Sequence, residues 1–124
     1  MTEINEMIDL SPVQEKFILR WGEMGTRWGI NRTVAQVHAL LYIWSEPLNA
    51  EEIGLALSVA RSNVSNSLKE LHGWGVLRTI QKLGDRTDHF VTVSDAWYMF
   101  RIVVNERTRR LLDLTVAQLA VCIP

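Results

Sequence analysis

Residues 49–93 constrain this chain more than any other stretch: NAEEIGLALSVARSNVSNSLKELHGWGVLRTIQKLGDRTDHFVTV. Asn49 and Glu52 sit three apart, the spacing of a capping box, with Leu48 and Ile53 placed as a hydrophobic staple. Ile53, Ala56 and Leu57 then share the inward face of a short helix. Ser58-Val59-Ala60 is short enough to be the turn between two helices that cross steeply. A second helix is predicted over residues 61–74, with Val64, Leu68 and Leu71 as a narrow apolar seam. Gly73 and Gly75 end it, Gly75 suiting a left-handed cap. Residues 76–81 and 89–93 read as two strands, joined by a glycine- and aspartate-bearing turn. Helix, tight turn, helix, hairpin is the order of a winged helix-turn-helix, whose second helix fits the major groove of duplex DNA.

The flanking segments read as helices. Ser11-Pro12-Val13-Gln14 has a capping serine, a proline suited to the first turn and a glutamine that can close a capping box. The N-terminal helix is expected over 11–29, with Val13, Phe17, Trp21, Met24 and Trp28 as its apolar stripe and residues 1–10 as a loose arm. A second helix is expected from Thr33 to Trp44, opened by Thr33 and Gln36, buried through Val34, Val37, Leu41 and Trp44, and stopped by Ser45-Glu46-Pro47. Ser94 and Asp95 suit the start of a last helix. Met99, Phe100, Val103, Val104, Leu111 and Leu114 give it an apolar face, and the sequence beyond Thr115 loses its period. The fold class is therefore mainly α with a small β-hairpin wing. One domain spans 1–124, with a 33–93 core and a C-terminal dimerisation helix over 95–120.

Composition narrows the function classes. With 48% hydrophobic and 22% charged residues, 124 residues can bury a core. The single cysteine, Cys122, gives no internal disulfide and no zinc constellation. That usage fits a reducing cytoplasm. The acidic N-terminus lacks the basic start and apolar core of a signal peptide, and no apolar run reaches the ~18–20 residues of a membrane span. His38, His72 and His89 fall on different elements, with no nucleophile–base set or phosphate loop near them, so an enzyme, a metal and a cofactor are not expected. His38 is expected as a surface or half-buried histidine.

The net charge of −1 does not favour DNA, but the distribution does. Glu3, Glu6, Asp9 and Glu15 occupy the first fifteen residues with no basic partner, while residues 58–92 hold Arg61, Lys69, Arg78, Lys82 and Arg86 against Glu70, Asp85 and Asp88. On the second helix of the motif Arg61, Ser62, Asn63, Ser65, Asn66 and Lys69 are left pointing outward. Serine and asparagine are mediocre helix formers, so their abundance on one exposed face serves contact rather than stability. Asn63 or Asn66 can pair bidentately with adenine, and Ser62 and Ser65 can bond phosphates. Lys82 and Arg86 sit on the hairpin tip, where an arginine can enter a narrow minor groove and Asp85 or Asp88 can orient it by an ion pair. Arg78 stands at the wing base, as a strand-surface charge or a phosphate contact.

The pieces WGINRTVAQVHALLYI at 28–43, LNAEEIGLALSVARSNVSNSLKELHGWGVLRTI at 48–80 and GDRTDHF at 84–90 resemble the MarR superfamily of bacterial regulators, and its GbsR-like branch most closely. The resemblance implies a homodimer built from the first and last helices that binds a near-palindromic operator. It also implies that Ser62, Asn63, Ser65 and Asn66 read the groove and that Arg86 is the wing arginine. Two departures stand out: Ala60 occupies a place where a capping serine is frequent, and the chain is shorter at its C-terminus than such proteins, so the last helix looks short. A small-molecule effector belongs to the same resemblance. Five tryptophans, among them Trp21, Trp28 and Trp97, offer an aromatic cage for a quaternary ammonium, although Trp21 and Trp28 also lie on the apolar stripe of their helix. The expectation is a dimeric, sequence-specific DNA-binding transcriptional regulator, a repressor by occlusion. The alternative is a winged-helix protein-interaction module without DNA binding.

Overall fold

The structure, a computed structural model, describes residues 8–93 and 96–122. Its elements run α1 (Pro12–Arg27), α2 (Arg32–Ile43), β1 (Leu48–Asn49), α3 (Ala50–Leu57), α4 (Arg61–Gly73), β2 (Leu77–Gln81), β3 (Asp88–Thr92) and α5 (Ala96–Cys122).

The N-terminal capping box forms as expected. Ser11 Oγ accepts from the Gln14 amide at 3.1 Å while Gln14 Oε1 accepts from the Ser11 amide at 2.9 Å. The buried side of α1, however, is Ile18, Gly22 and Gly25, and Val13 is 75% exposed. The reason is steric. A Cβ on Gly25 would lie 2.8 Å from the Ala35 Cβ, and one on Gly22 would lie 2.9 Å from the Gln36 Cγ. The glycines let α2 approach closely, and this rotates Val13 out to solvent. Phe17, Trp21 and Trp28 remain half-buried against the core. Residues 8–10 are not a free arm: Ile8 is buried and Leu10 packs on the core.

Helix α2 starts earlier than expected because Asn31, not Thr33, caps it. Asn31 Oδ1 accepts from the amides of Thr33 and Val34 at 2.8 and 3.3 Å. Burial is not confined to one stripe: Val34, Ala35, Val37, His38, Ala39, Leu40 and Leu41 are all buried. With α1, α3, α4 and β3 packed around it, α2 is the axis of the core. Trp44 lies beyond its end as a half-buried, extended cap residue.

His38 is fully buried, at 1% exposure, and not the surface or half-buried histidine expected. Its ring meets Trp21 edge-on at 84° and 6.5 Å. Neither of its ring nitrogens, nor Trp21 Nε1, has a hydrogen-bond partner among the described residues. Burial lowers its pKa from 6.5 to about 4, so the imidazole is neutral at pH 7.

The Asn49–Glu52 capping box closes at 2.8 and 2.9 Å, and Leu48 and Ile53 are both buried. Leu48 and Asn49 also form a strand that the sequence did not suggest. They pair antiparallel with Phe90 and His89, giving a three-stranded sheet in the order β1-β3-β2. Ser58 turns the chain between α3 and α4 at φ 56°. On α4 the apolar seam is Val64, Leu68 and Leu71, joined by buried Ser67. Gly75, at φ +79°, turns the chain into β2. The proposed Ser94 and Asp95 start of the last helix lies outside the described residues. Helix α5 runs 27 residues without interruption at Thr115, which makes it about 40 Å long rather than short.

Ala60 provides no side-chain cap for α4. Ala60→Ser therefore adds roughly 1 kcal/mol and raises the melting temperature by about 3–5 °C; an unchanged or lower value refutes the cap position. His38 stays neutral in the folded chain while the unfolded chain takes up its proton below pH 6.5. Its contribution is thus complete above pH 6.5 and declines as pH falls toward 4. Denaturant titration of wild type and His38→Leu at pH 7 and 5 should show wild type losing about 2 kcal/mol more than the variant.

Candidate nucleic-acid interface

The polar residues of α4 divide into two flanks, for a reason of helical period. Arg61, Ser65 and Lys69 repeat every fourth residue, and Asn63, Asn66 and Glu70 follow three- and four-residue steps on the neighbouring side. The seam Val64, Leu68 and Leu71 packs inward on α2, so Arg61, Ser62, Asn63, Ser65, Asn66 and Lys69 are all exposed. The sequence pattern places them on one face; the structure turns five of them toward two recesses.

The larger recess is a cleft of about 570 Å³ between α4 and the wing. Arg61, Ser65, Lys69 and His72 line it from α4, Thr79 and Phe90 from the sheet, and Arg86, Thr87 and Asp88 from the wing side. Three permanent cations therefore border one open groove. His72 Nε2 lies 3.1 Å from Thr79 Oγ1 and ties the end of α4 to β2 across the back of the cleft. Sequence reading missed His72, Thr79 and Thr87, because nothing in the linear pattern says that a helix end and a strand share a wall. On the other flank a groove of about 240 Å³ is lined by Asn63, Asn66, Ser67 and Glu70 with Asn31, Thr33 and Val34 from the start of α2. Ser62 borders neither recess and lies in the first turn of α4.

The wing tip is built by local hydrogen bonds. The Asp85 amide donates to the Lys82 carbonyl at 3.0 Å, with Gly84 at φ +81°. Asp85 Oδ1 accepts from the Thr87 amide at 2.9 Å, an Asx turn that spans Arg86. The Thr87 amide, and then its hydroxyl, hold the Asp85 carboxyl below its usual range, with His89 and Lys82 adding to the effect. Buried His89 places Nδ1 3.0 Å from the Thr87 carbonyl, which accepts from it, and Nε2 lies 4.0 Å from Asp85. Asp88 accepts from Gln81 Nε2 at 3.0 Å. Both carboxylates are thus engaged elsewhere, and the expected Asp–Arg86 ion pair does not form: Asp85 orients Arg86 through the backbone. Lys82 and Arg86 are exposed at the tip. Arg78 is exposed but, one residue from Thr79, points to the opposite side of the sheet from the cleft.

Trp21 belongs to an aromatic group with Phe17, Tyr42 and His38, and Trp28 caps the C-terminal end of α1. The Trp97 side chain lies outside the described residues. Among the described residues no group of three or more His, Cys, Asp and Glu is placed to hold a metal ion, and no described helix is long and apolar enough to cross a membrane.

No family model matches the sequence, and no curated protein matches it. Solved structures do. A transcriptional regulator superposes with a TM-score of 0.67 and 22% identity over 88% of this chain and 74% of that one. A regulator named as MarR family superposes at 0.51 and 18% identity, over 98% and 89% of the two chains. The fold that this chain shares with them is a winged helix. An S. aureus MepR variant bound to an oligodeoxyribonucleotide gives a TM-score of 0.54 at 16% identity, covering 90% of this chain and 79% of its own.

The Asx turn yields a local test. Asp85→Ala removes the acceptor of the Thr87 amide, so that amide should exchange faster with solvent while the melting temperature stays within about 1 °C. Asp85→Asn keeps the acceptor oxygen and should keep the protection; equal loss in both variants would show that the carboxylate charge, not the turn, holds the tip.

Proposed function

We propose that this protein is a sequence-specific, double-stranded DNA-binding transcriptional regulator of the MarR superfamily, on the GbsR-like branch, acting as a homodimeric repressor at a near-palindromic operator. The observation that carries this reading is the cleft that sets Arg61 and Lys69 of α4 opposite Arg86 of the wing, with Asn63 and Asn66 on the other flank of the same helix. Cations on a helix and on a wing beside it match the phosphates that border a groove. Short amides and hydroxyls between them let the helix backbone approach base edges. Arg78, on the other side of the sheet from the cleft, is exposed at the wing base and stays open as a strand-surface charge or a phosphate contact.

The dimer reading rests on α5 and α1. Leu111, Leu112, Leu114, Val116 and Leu119 of α5 are 50–64% exposed, as are, at 75% and 53%, Val13 and Leu19 of α1. Apolar side chains in such number on one long helix need cover. A second copy supplies it and presents two α4 helices to half-sites about one DNA turn apart.

Selection of duplexes from a random pool, followed by titration at several salt concentrations, tests the proposal. Asn63→Ala and Asn66→Ala should each cost about 1–3 kcal/mol at the preferred site and relax its sequence. Lys82→Ala and Arg86→Ala should weaken all duplexes alike and reduce the salt slope by about 1. Folded variants that all bind as wild type would refute the face. A wild-type chain that binds no duplex at low salt would favour a protein-interaction module instead.

A further inference from the structure

The guanidinium of Arg110, in the middle of α5, meets three partners through three different nitrogens. Nη1 donates to the Gly29 carbonyl at 2.6 Å, Nη2 lies 3.8 Å from the Glu70 carboxylate, and Nε lies 3.4 Å from Glu106. These partners belong to the turn after α1, the last turns of α4, and α5 itself. Gly29 and Glu70 both stand at the C-terminal ends of helices, where aligned peptide dipoles leave partial negative charge. One cation therefore ties the turn after α1 to a carboxylate in the last turns of α4. Glu106 is itself fixed by Arg109 at 2.6 Å, and its side chain is only 13% exposed, so the anchor on the α5 side is held in place. Glu70 lies on the flank of α4 that carries Asn63 and Asn66 and lines the same groove.

We propose that Arg110 is a positioning residue that couples the orientation of α5 to α4, and so sets how the Asn63 and Asn66 flank meets a duplex. The consequence for DNA rests on the function proposed above; the coupling between the helices does not. It gives the last helix, with its exposed leucines, a direct mechanical route to the polar helix. Any change in how two copies meet along α5 would be felt at Glu70. The role requires arginine. Lysine offers one nitrogen in place of a planar fork, and it cannot hold a carbonyl and two carboxylates that lie in three directions.

The test uses the full chain with Arg110→Lys, Arg110→Gln and Glu70→Gln. It reads amide hydrogen exchange, melting temperature, and affinity for the duplex that the wild type selects. Each Arg110 variant should raise exchange of amides 70–76 about fivefold or more and weaken the selected duplex about fivefold or more, with the salt slope unchanged. Glu70→Gln should also weaken binding, although losing an anion near DNA would strengthen it on charge alone. Unaltered exchange in Arg110→Lys overturns the coupling, whatever the DNA result. Full recovery of exchange and affinity by Arg110→Lys reduces the residue to its charge and overturns the proposal, as does a salt slope reduced by about 1, which marks a phosphate contact. If the wild type selects no duplex, the DNA reading fails by itself, and exchange alone still decides the coupling.

Discussion

The packing of other elements around α2 is the constraint on which the rest of the molecule depends. Seven residues of this short helix are buried, and α1, α3, α4 and β3 all lie against it. Because α4 meets α2 through only a narrow seam of Val64, Leu68 and Leu71, with Ser67 beside it, most of the circumference of α4 stays outside the core. The cations, amides and hydroxyls of α4 are exposed for that reason. They are what remains when one helix contributes little surface to a core that another helix dominates. The close approach at Gly22 and Gly25 completes the arrangement by allowing α1 to pack tightly on α2 as well.

A second dependence runs through two residues with double duty. Asn49 caps α3 and pairs with His89 of β3, while Leu48 is buried and pairs with Phe90. The helix-turn-helix and the wing are therefore joined at the point where α3 begins. The wing then arrives beside α4 with its own internal fastening, from Asp85 to Thr87 and from Thr87 to His89. Arg86 sits inside that fastening, so its backbone is held while its side chain stays exposed. Together with the His72–Thr79 bond, these contacts fix the two walls of the cationic cleft relative to each other.

Much of this was legible along the chain, because capping, turns and seams are local. Ser11 with Gln14 and Asn49 with Glu52 formed the boxes that their spacing indicates. The outward residues of α4 were readable from Val64, Leu68 and Leu71, since a helix with a three-residue seam leaves the rest of its surface free. The misreadings share one cause. Val13 looked buried because hydrophobicity was counted without the glycines that decide which side of α1 can approach its neighbour. His38 looked accessible because its period says nothing about how many neighbours surround α2. The pairing of Leu48 and Asn49 with β3 joins residues some forty positions apart, and no local pattern announces it.

Sequence by itself determined the helices, the hairpin and their order, though not the strand at Leu48 and Asn49, because hydrogen bonds to helix ends, glycine turns and apolar periods act over a few residues. Tertiary structure alone decided that Arg61 and Lys69 share a cleft with Arg86, that Arg78 faces away from it, and that Arg110 reaches both Gly29 and Glu70. Those relations depend on the angles at which α4, α5 and the sheet pack. Such angles come from the summed shape of many side chains in contact, which no single stretch of the chain contains.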